Sequence, residues 1–265
     1  MATVQAAFFD LDKTVIAKAS IAAFGPSLRR NGLISRRMVA RAVAGQIMFM
    51  YFGADEERLA KIRESMLTLT KGWDRAQVRE IVRETLVETI EPLIYAEALD
   101  LMEEHRSQGH RIYLVSASPE EIVLPLAEML GVDGAIATRA QIDEAGCYTG
   151  EMDFYAYGEN KVVAITAIAE RNGIDLSASY AYSDSATDLP MLEAVGHPVV
   201  VNPDRALAKT ARDRGWDQLV FTKPVRLRDR VSRRTPLFTG LVALAGLLGV
   251  LLLRGSPGKP RQAKA

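Results

Sequence analysis

One cysteine, Cys147, stands in the 265 residues, so no internal disulfide can form and nothing points to an oxidising compartment. Neither sign of charge is in excess. Lys+Arg and Asp+Glu each number 33, which lacks the basic surplus of a general nucleic-acid binder, and no nucleic-acid partner is expected. Histidine is scarce. The three present, His105, His110 and His197, have no metal-ligand spacing and read as surface or loop residues. The two tryptophans, Trp73 and Trp216, read as packing anchors. No basic stretch followed by a long apolar run opens the chain, so no secretory signal is expected. What the chain does have is apolar bulk, at 48% hydrophobic residues. That suffices for one large domain or two modest ones.

The longest apolar run comes late. Residues 237–253 read LFTGLVALAGLLGVLLL, free of charge and without a one-sided stripe. The run sits near the short limit for a bilayer-crossing helix, roughly 17–25 residues. Six basic residues precede it (Lys223, Arg226, Arg228, Arg230, Arg233 and Arg234), and four follow (Arg254, Lys259, Arg261 and Lys264). The expectation is a transmembrane helix at 237–253, a basic juxtamembrane linker at 223–236 and a disordered tail at 254–265. The denser cluster lies before the run, which places the main body in the cytoplasm as a single-pass C-terminal anchor. The same cluster suits anionic membrane lipid. The other reading is a packed C-terminal helix.

A short apolar run at 6–9 predicts the first strand. Residues 18–90 are mostly helical in pattern, with Gly and Pro breaks and no convincing strand, and read as a helical insert. Within it, 46–52 is apolar nearly all round, serving either as insert core or as a face toward substrate or membrane. From Pro92 onward helices and strands alternate. Helices are expected at 96–107, 120–130, 161–171 and 189–195. Strands are expected at 111–115, 180–182 and 198–201, with short strands around a turn within 135–149. Alternation of this kind implies an α/β, doubly wound parallel sheet with ligands beyond the strands' carboxyl ends.

Polar residues collect at those ends. The first strand runs into Asp10-Leu11-Asp12-Lys13-Thr14. Strand alternation turns Asp10 and Asp12 roughly the same way. Like charges that close repel unless a cation or a proton relieves them. One acid of such a pair can attack or hold a metal, and the other can move protons. The second strand ends at Ser116, whose hydroxyl, with the amides of Ala117 and beyond, could hold an anionic oxygen. Alternatively it caps the next helix. Lys161 sits at a helix start, against the helix dipole, and so needs a partner such as phosphate or carboxylate. The run Tyr182-Ser183-Asp184-Ser185-Ala186-Thr187-Asp188 places two acids at a strand–loop–helix junction. They form either a hard-cation site or a helix cap with a solvated first-turn acid.

Taken together in this order and spacing, Asp10 to Thr14, Ser116, Lys161 and Asp184 with Asp188 resemble the haloacid dehalogenase (HAD) superfamily, over about residues 4–215. The segment 182–196 and Val201-Asn202-Pro203 are close to the subgroup containing phosphoserine phosphatase, as is a helical cap inserted after the first strand. The chain is also similar to members that carry a C-terminal membrane segment. The resemblance implies a HAD-like core at 1–17 and 91–222 and a cap at 18–90. It implies an Mg²⁺-dependent phosphomonoester hydrolase in which Asp10 attacks phosphorus and forms an aspartyl phosphate. Asp12 would protonate the leaving alcohol and then activate water. Mg²⁺ would be held by Asp10, Asp184 and the backbone carbonyl of Asp12, with Thr14 and Asp188 supporting, while Ser116, Ala117 and Lys161 bind the phosphoryl oxygens. Dehalogenases of the superfamily lack an acid at the Asp12 position, so its presence favours phosphate chemistry.

Phosphoserine phosphatases carry a glutamate nine residues after the nucleophile. Here that position is Ala19, beside Lys18 and Ser20, and a lysine repels an ammonium group. The expected substrate is therefore a small phosphomonoester, either a phosphoserine-like metabolite or an anionic or amphiphilic phosphate. The competing readings are a phosphotransferase using the same residues and a non-catalytic, membrane-anchored regulatory module.

Overall fold

The computed structural model describes residues 3–35 and 67–224. The run at 46–52 and everything expected beyond 224, including the membrane segment at 237–253, lie outside the described residues. Among the described residues no helix is long and apolar enough to cross a membrane.

Among the described residues seven strands make one sheet: β1 (Ala6–Phe9), β2 (Arg111–Pro119), β3 (Gly134–Ile142), β4 (Tyr148–Phe154), β5 (Tyr180–Ser183), β6 (His197–Val201) and β7 (Asp217–Leu219). Their order across the sheet is β4-β3-β2-β1-β5-β6-β7. All neighbours are parallel except β3 and β4, an antiparallel pair at one edge. The α/β parallel core agrees with the expected fold class, and the antiparallel edge strand refines it. From β1 the chain builds outward through β2 and β3, then returns to the other side of β1 and builds through β5, β6 and β7. The winding therefore reverses beside β1, and a crevice opens at the carboxyl ends of β1, β2 and β5.

The sequence makes β1 central. All four of its residues are fully buried, as befits a strand covered on both faces. Phe8 stacks on Tyr113, with ring centroids 5.5 Å apart, within a core that includes Val115, Ile136, Ile165 and Val200. Phe9 points the other way and stacks on Tyr182 at 4.4 Å.

The α-helices among the described residues include α1 (Ser20–Arg30), α2 (Arg75–Thr89), α3 (Ala96–Ser107), α4 (Glu120–Leu130), α5 (Glu159–Asn172), α6 (Leu189–Glu193) and α7 (Arg205–Arg214). Capping explains several of their ends. Asp74 accepts from Ala76 and Gln77 N–H at the start of α2, and Gly131 closes α4 in the left-handed region. The described part of the helical insert is tied to the core. Arg75 pairs with Glu121 at 3.0 Å and with Glu120, both in the first turn of α4, while Gly72 N–H donates to the Tyr148 carbonyl.

Three expectations are corrected. The second strand does not stop at 115 but runs through Ser116 to Pro119, with a register shift against β3 between Val115 and Pro119. Helix α7 and strand β7 were not expected. His105 is not a surface residue: it is 4% exposed, because Ala98, Met102 and His105 form the buried stripe of α3.

Candidate active site

The polar strand ends meet in the crevice at the winding reversal. β1 delivers Asp10, whose N–H donates to the Tyr182 carbonyl of β5 at 2.9 Å, so the chain leaving β1 stays stitched to the neighbouring strand. Beyond it the chain turns sharply. Lys13 adopts φ 64°, the left-handed region, and Val15 and Ile16 N–H both return to the Leu11 carbonyl. This turn buries Thr14, whose hydroxyl has no hydrogen-bond partner among the described residues.

Lys161 is the pivot of the site. It lies in the first turn of α5 yet is 2% exposed. Its Nζ stands 2.8 Å from Asp10 Oδ1 and 2.7 Å from Asp188 Oδ1. The partner expected from the dipole argument is thus a pair of carboxylates. Burial disfavours the ammonium, but Asp10 and Asp188 outweigh it and raise the Lys161 pKa, so the cation persists. Asp188 is not a solvated first-turn acid: it is 2% exposed, and its Oδ2 accepts from Ser183 Oγ at 2.7 Å.

For Asp10, burial pushes the carboxyl upward, Lys161 pulls it back, and Asp188 and Asp184 push it further up. The net is an acid well above the ordinary range that relies on Lys161 to remain ionised. Asp184 follows β5 and is 7% exposed. Burial raises its pKa to about 6, Lys13 opposes, and Asp188 adds to the rise. Asp184 does not cap a helix. Ser185 caps the short 3₁₀ turn Ala186–Asp188 instead. The Asp184 loop is held by Asp204, whose N–H donates to the Asp184 carbonyl at 2.8 Å and whose Oδ2 accepts from Ala186 N–H at 2.9 Å.

Ser116 lies within β2, 1% exposed, with its Oγ accepting from Ser118 N–H at 3.1 Å. That bond leaves the hydroxyl proton available to an anion. Ser116 is not a helix cap, because α4 begins after Pro119 without side-chain capping. The Ala117 carbonyl accepts from Thr138 Oγ1 at 2.7 Å, fixing the backbone there. Asp12 stands apart from the Lys161 cluster. Its Oδ1 accepts from Ser20 N–H at 2.8 Å, and its Oδ2 accepts from Ser118 Oγ at 3.0 Å.

The structure therefore brings Asp10, Lys161, Asp184 and Asp188 to one crevice, with Asp12, Thr14, Ser116 and Ala117 on the adjoining segments. Sequence reasoning missed Ser20, Ser118, Ser183 and Asp204. Only Ser118 carried a signal, since it repeats Ser116 at the two-residue spacing of a strand face. The donor set suits a hard cation. Asp184 has no ammonium or guanidinium within ion-pair distance among the described residues, and burial, with a smaller push from Asp188, raises its pKa. Among the described residues no three His, Cys, Asp or Glu side chains gather closely enough to hold an ion unaided. Two carboxylates with a backbone carbonyl, as the resemblance implies, fall below that count.

Comparison with known proteins gives the family. The family described as haloacid dehalogenase-like hydrolase matches residues 7–193. A Mycobacterium tuberculosis protein named a probable phosphatase is 50% identical over 242 residues, covering 91% of this chain and 84% of its own. Another from the same organism, named a phosphoserine phosphatase, is 32% identical over 252 residues, covering 94% and 80%. Among solved structures, a Bordetella pertussis protein of unknown function superposes with a TM-score of 0.72 at 28% identity, covering 82% of this chain and 99% of its own.

Proposed function

The chain belongs to the haloacid dehalogenase-like hydrolases, as a phosphatase of that family, and from that premise we propose that it is an Mg²⁺-dependent phosphomonoester hydrolase with Asp10 as nucleophile. The observation that carries this reading is the buried Asp10–Lys161–Asp188 cluster beside Asp184 at the carboxyl ends of β1 and β5. Asp10 Oδ attacks phosphorus and the leaving alcohol departs with a proton from Asp12, giving an aspartyl phosphate. Asp12, now ionised, takes a proton from water as that water attacks the same phosphorus, and the Asp10 carboxylate is regenerated. Lys161 keeps Asp10 ionised and, with the Ser116 hydroxyl and the Ala117 amide, meets the spread charge of the phosphoryl oxygens. Asp10, Asp184 and the Asp12 carbonyl would hold Mg²⁺, supported by Asp188 and Thr14. The ion supplies positive charge that lets an anionic ester approach a carboxylate.

The substrate is read as a small phosphomonoester. Relatives named for phosphoserine support a compact metabolite. Ala19, exposed beside exposed Lys18 at the start of α1, supports an anionic or amphiphilic ester over one recognised by its ammonium group. The 237–253 run and the basic residues before it support a C-terminal anchor with the catalytic body on the cytoplasmic side. Truncation after Arg234 should release the protein from membranes, and unchanged partitioning would remove the anchor. The central test is Asp10→Asn. Release of inorganic phosphate from an aryl phosphate should fall to background, and EDTA should do the same to the parent enzyme, reversibly with added Mg²⁺. Full activity in Asp10→Asn would end the assignment.

A further inference from the structure

The Asp12 carboxylate is held by two donors from different parts of the chain. Ser20 N–H, in the first turn of α1, binds Oδ1 at 2.8 Å. Ser118 Oγ, on the β2 extension past Ser116, binds Oδ2 at 3.0 Å. The two serine hydroxyls also meet, with Ser20 Oγ 2.7 Å from Ser118 Oγ. Both serines are nearly inaccessible, at 0% and 3% exposure, while Asp12 itself is half-buried. Ser118 is 98 residues from Ser20 and 106 from Asp12, so folding alone assembles the group.

Ser118 O–H donates to Oδ2, so Ser118 Oγ accepts in turn from Ser20 O–H. With Ser20 N–H on Oδ1, both oxygens of the carboxylate are fixed by groups from two separate segments, which sets the direction the acid faces.

We propose that Ser118 is a positioning residue for Asp12, and that the Ser118–Ser20 hydroxyl pair aims this acid. The inference rests on the reading of Asp12 as general acid. It also makes the start of α1, the first helix of the insert, part of what orients that acid.

The discriminating readout is leaving-group dependence of kcat/KM, which reports only steps up to alcohol departure. An alkyl phosphate needs a proton on its leaving oxygen, whereas a p-nitrophenyl phosphate scarcely does. With Mg²⁺-loaded, full-length enzyme, Ser118→Ala should lower kcat/KM for an alkyl phosphate at least about tenfold more than for p-nitrophenyl phosphate, part of the 10²–10⁴-fold that general acids contribute. Ser118→Thr, which keeps a hydroxyl, should recover most of that difference. Ser20→Ala, which keeps the N–H bond, should show the same selectivity more weakly, and it carries the test if Ser118→Ala does not fold. Equal losses on both esters, or no loss on either, would overturn the proposal. Asp10→Asn run alongside separates the cases. If it stays active, the phosphatase reading itself has failed. If it is dead while Ser118→Ala shows no selectivity, only the positioning role has failed.

Discussion

Replacing Lys161 with methionine tests the electrostatics of the site most directly. In the parent enzyme one ammonium, 3% exposed at its side chain, lies 2.8 Å from a 9%-exposed Asp10 side chain and 2.7 Å from a 3%-exposed Asp188 side chain. At an effective dielectric near 20 each contact is worth on the order of 4–6 kcal/mol gross, and desolvation of the three ions offsets most of it. Methionine keeps the bulk but strands two carboxylates facing each other. Removing one partner of a buried ion pair typically costs about 3–5 kcal/mol, and that is the expected loss in urea denaturation at pH 7.5 in EDTA. The pH dependence should also change. Lys161's pKa is raised from an already high value, so the ammonium gives the parent no slope between pH 5 and 9. In the variant, Asp10 loses the influence that held its pKa down and is left with burial and two acidic neighbours. Its folded-state pKa then lies further above the unfolded one. The folded state binds more protons, and stability rises as the pH falls. Added Mg²⁺ should restore part of the loss. A variant within about 1 kcal/mol of the parent in EDTA, with unchanged pH slope, would refute the claim that Lys161 neutralises both acids.

Gly196 approaches Ser177 so closely that an added Cβ would stand 1.7 Å from the Ser177 carbonyl oxygen. Gly196→Ala should therefore cost at least about 2 kcal/mol in chemical denaturation by forcing the backbone apart. His105 should make the protein acid-sensitive. Burial, with a smaller push from His110, lowers its pKa from 6.5 to about 4, so its contribution is whole above pH 6.5 and declines as the pH falls toward 4. The shift corresponds to about 3 kcal/mol, and screening near the more exposed His110 reduces it to about 2 kcal/mol. Comparing the slope of stability between pH 4 and 6.5 with that of His105→Gln isolates the term, which is absent if the slopes coincide.

Much of the core was legible because β1 and its neighbours advertise themselves. A short apolar strand ending in two acids has few uses, and helix–strand alternation after Pro92 leaves few topologies. Residues that work through distant partners were illegible for a physical reason. Nothing local marks Ser20, because its N–H matters only once α1 is placed against Asp12. Asp204 looks like an ordinary N-cap, and it is one for α7, accepting from Leu207 N–H at 2.8 Å. Its grip on the Asp184 loop is a tertiary fact. The misreading of His105 was avoidable. Ala98, Met102 and His105 stand at i, i+4 and i+7, a core stripe that outweighs histidine's usual exposure. The buried ring then finds Tyr182 Oη at 2.8 Å and His110 Nδ1 at 2.9 Å. Helix α7 was avoidable too, since Asp204, the buried pair Leu207 and Ala211, and Gly215 supply start, face and stop.

The placement of Asp12 follows from the charge balance of the crevice. Asp10, Asp184 and Asp188 are buried acids, and Lys161 is the one buried lysine or arginine among the described residues. Three negative groups against one positive group leave the cluster in need of cationic charge before an anionic ester can enter. A fourth acid bonded to Lys161 would deepen that deficit each time it released its proton. It would also shift Asp10, the group whose ionisation the proposed chemistry most needs. Asp12 instead takes its hydrogen bonds from an amide and a hydroxyl. These donors carry no formal charge to be drawn away from Asp10, the proposed nucleophile. In the proposed cycle Asp12 therefore exchanges a proton while Lys161 stays committed to Asp10 and Asp188.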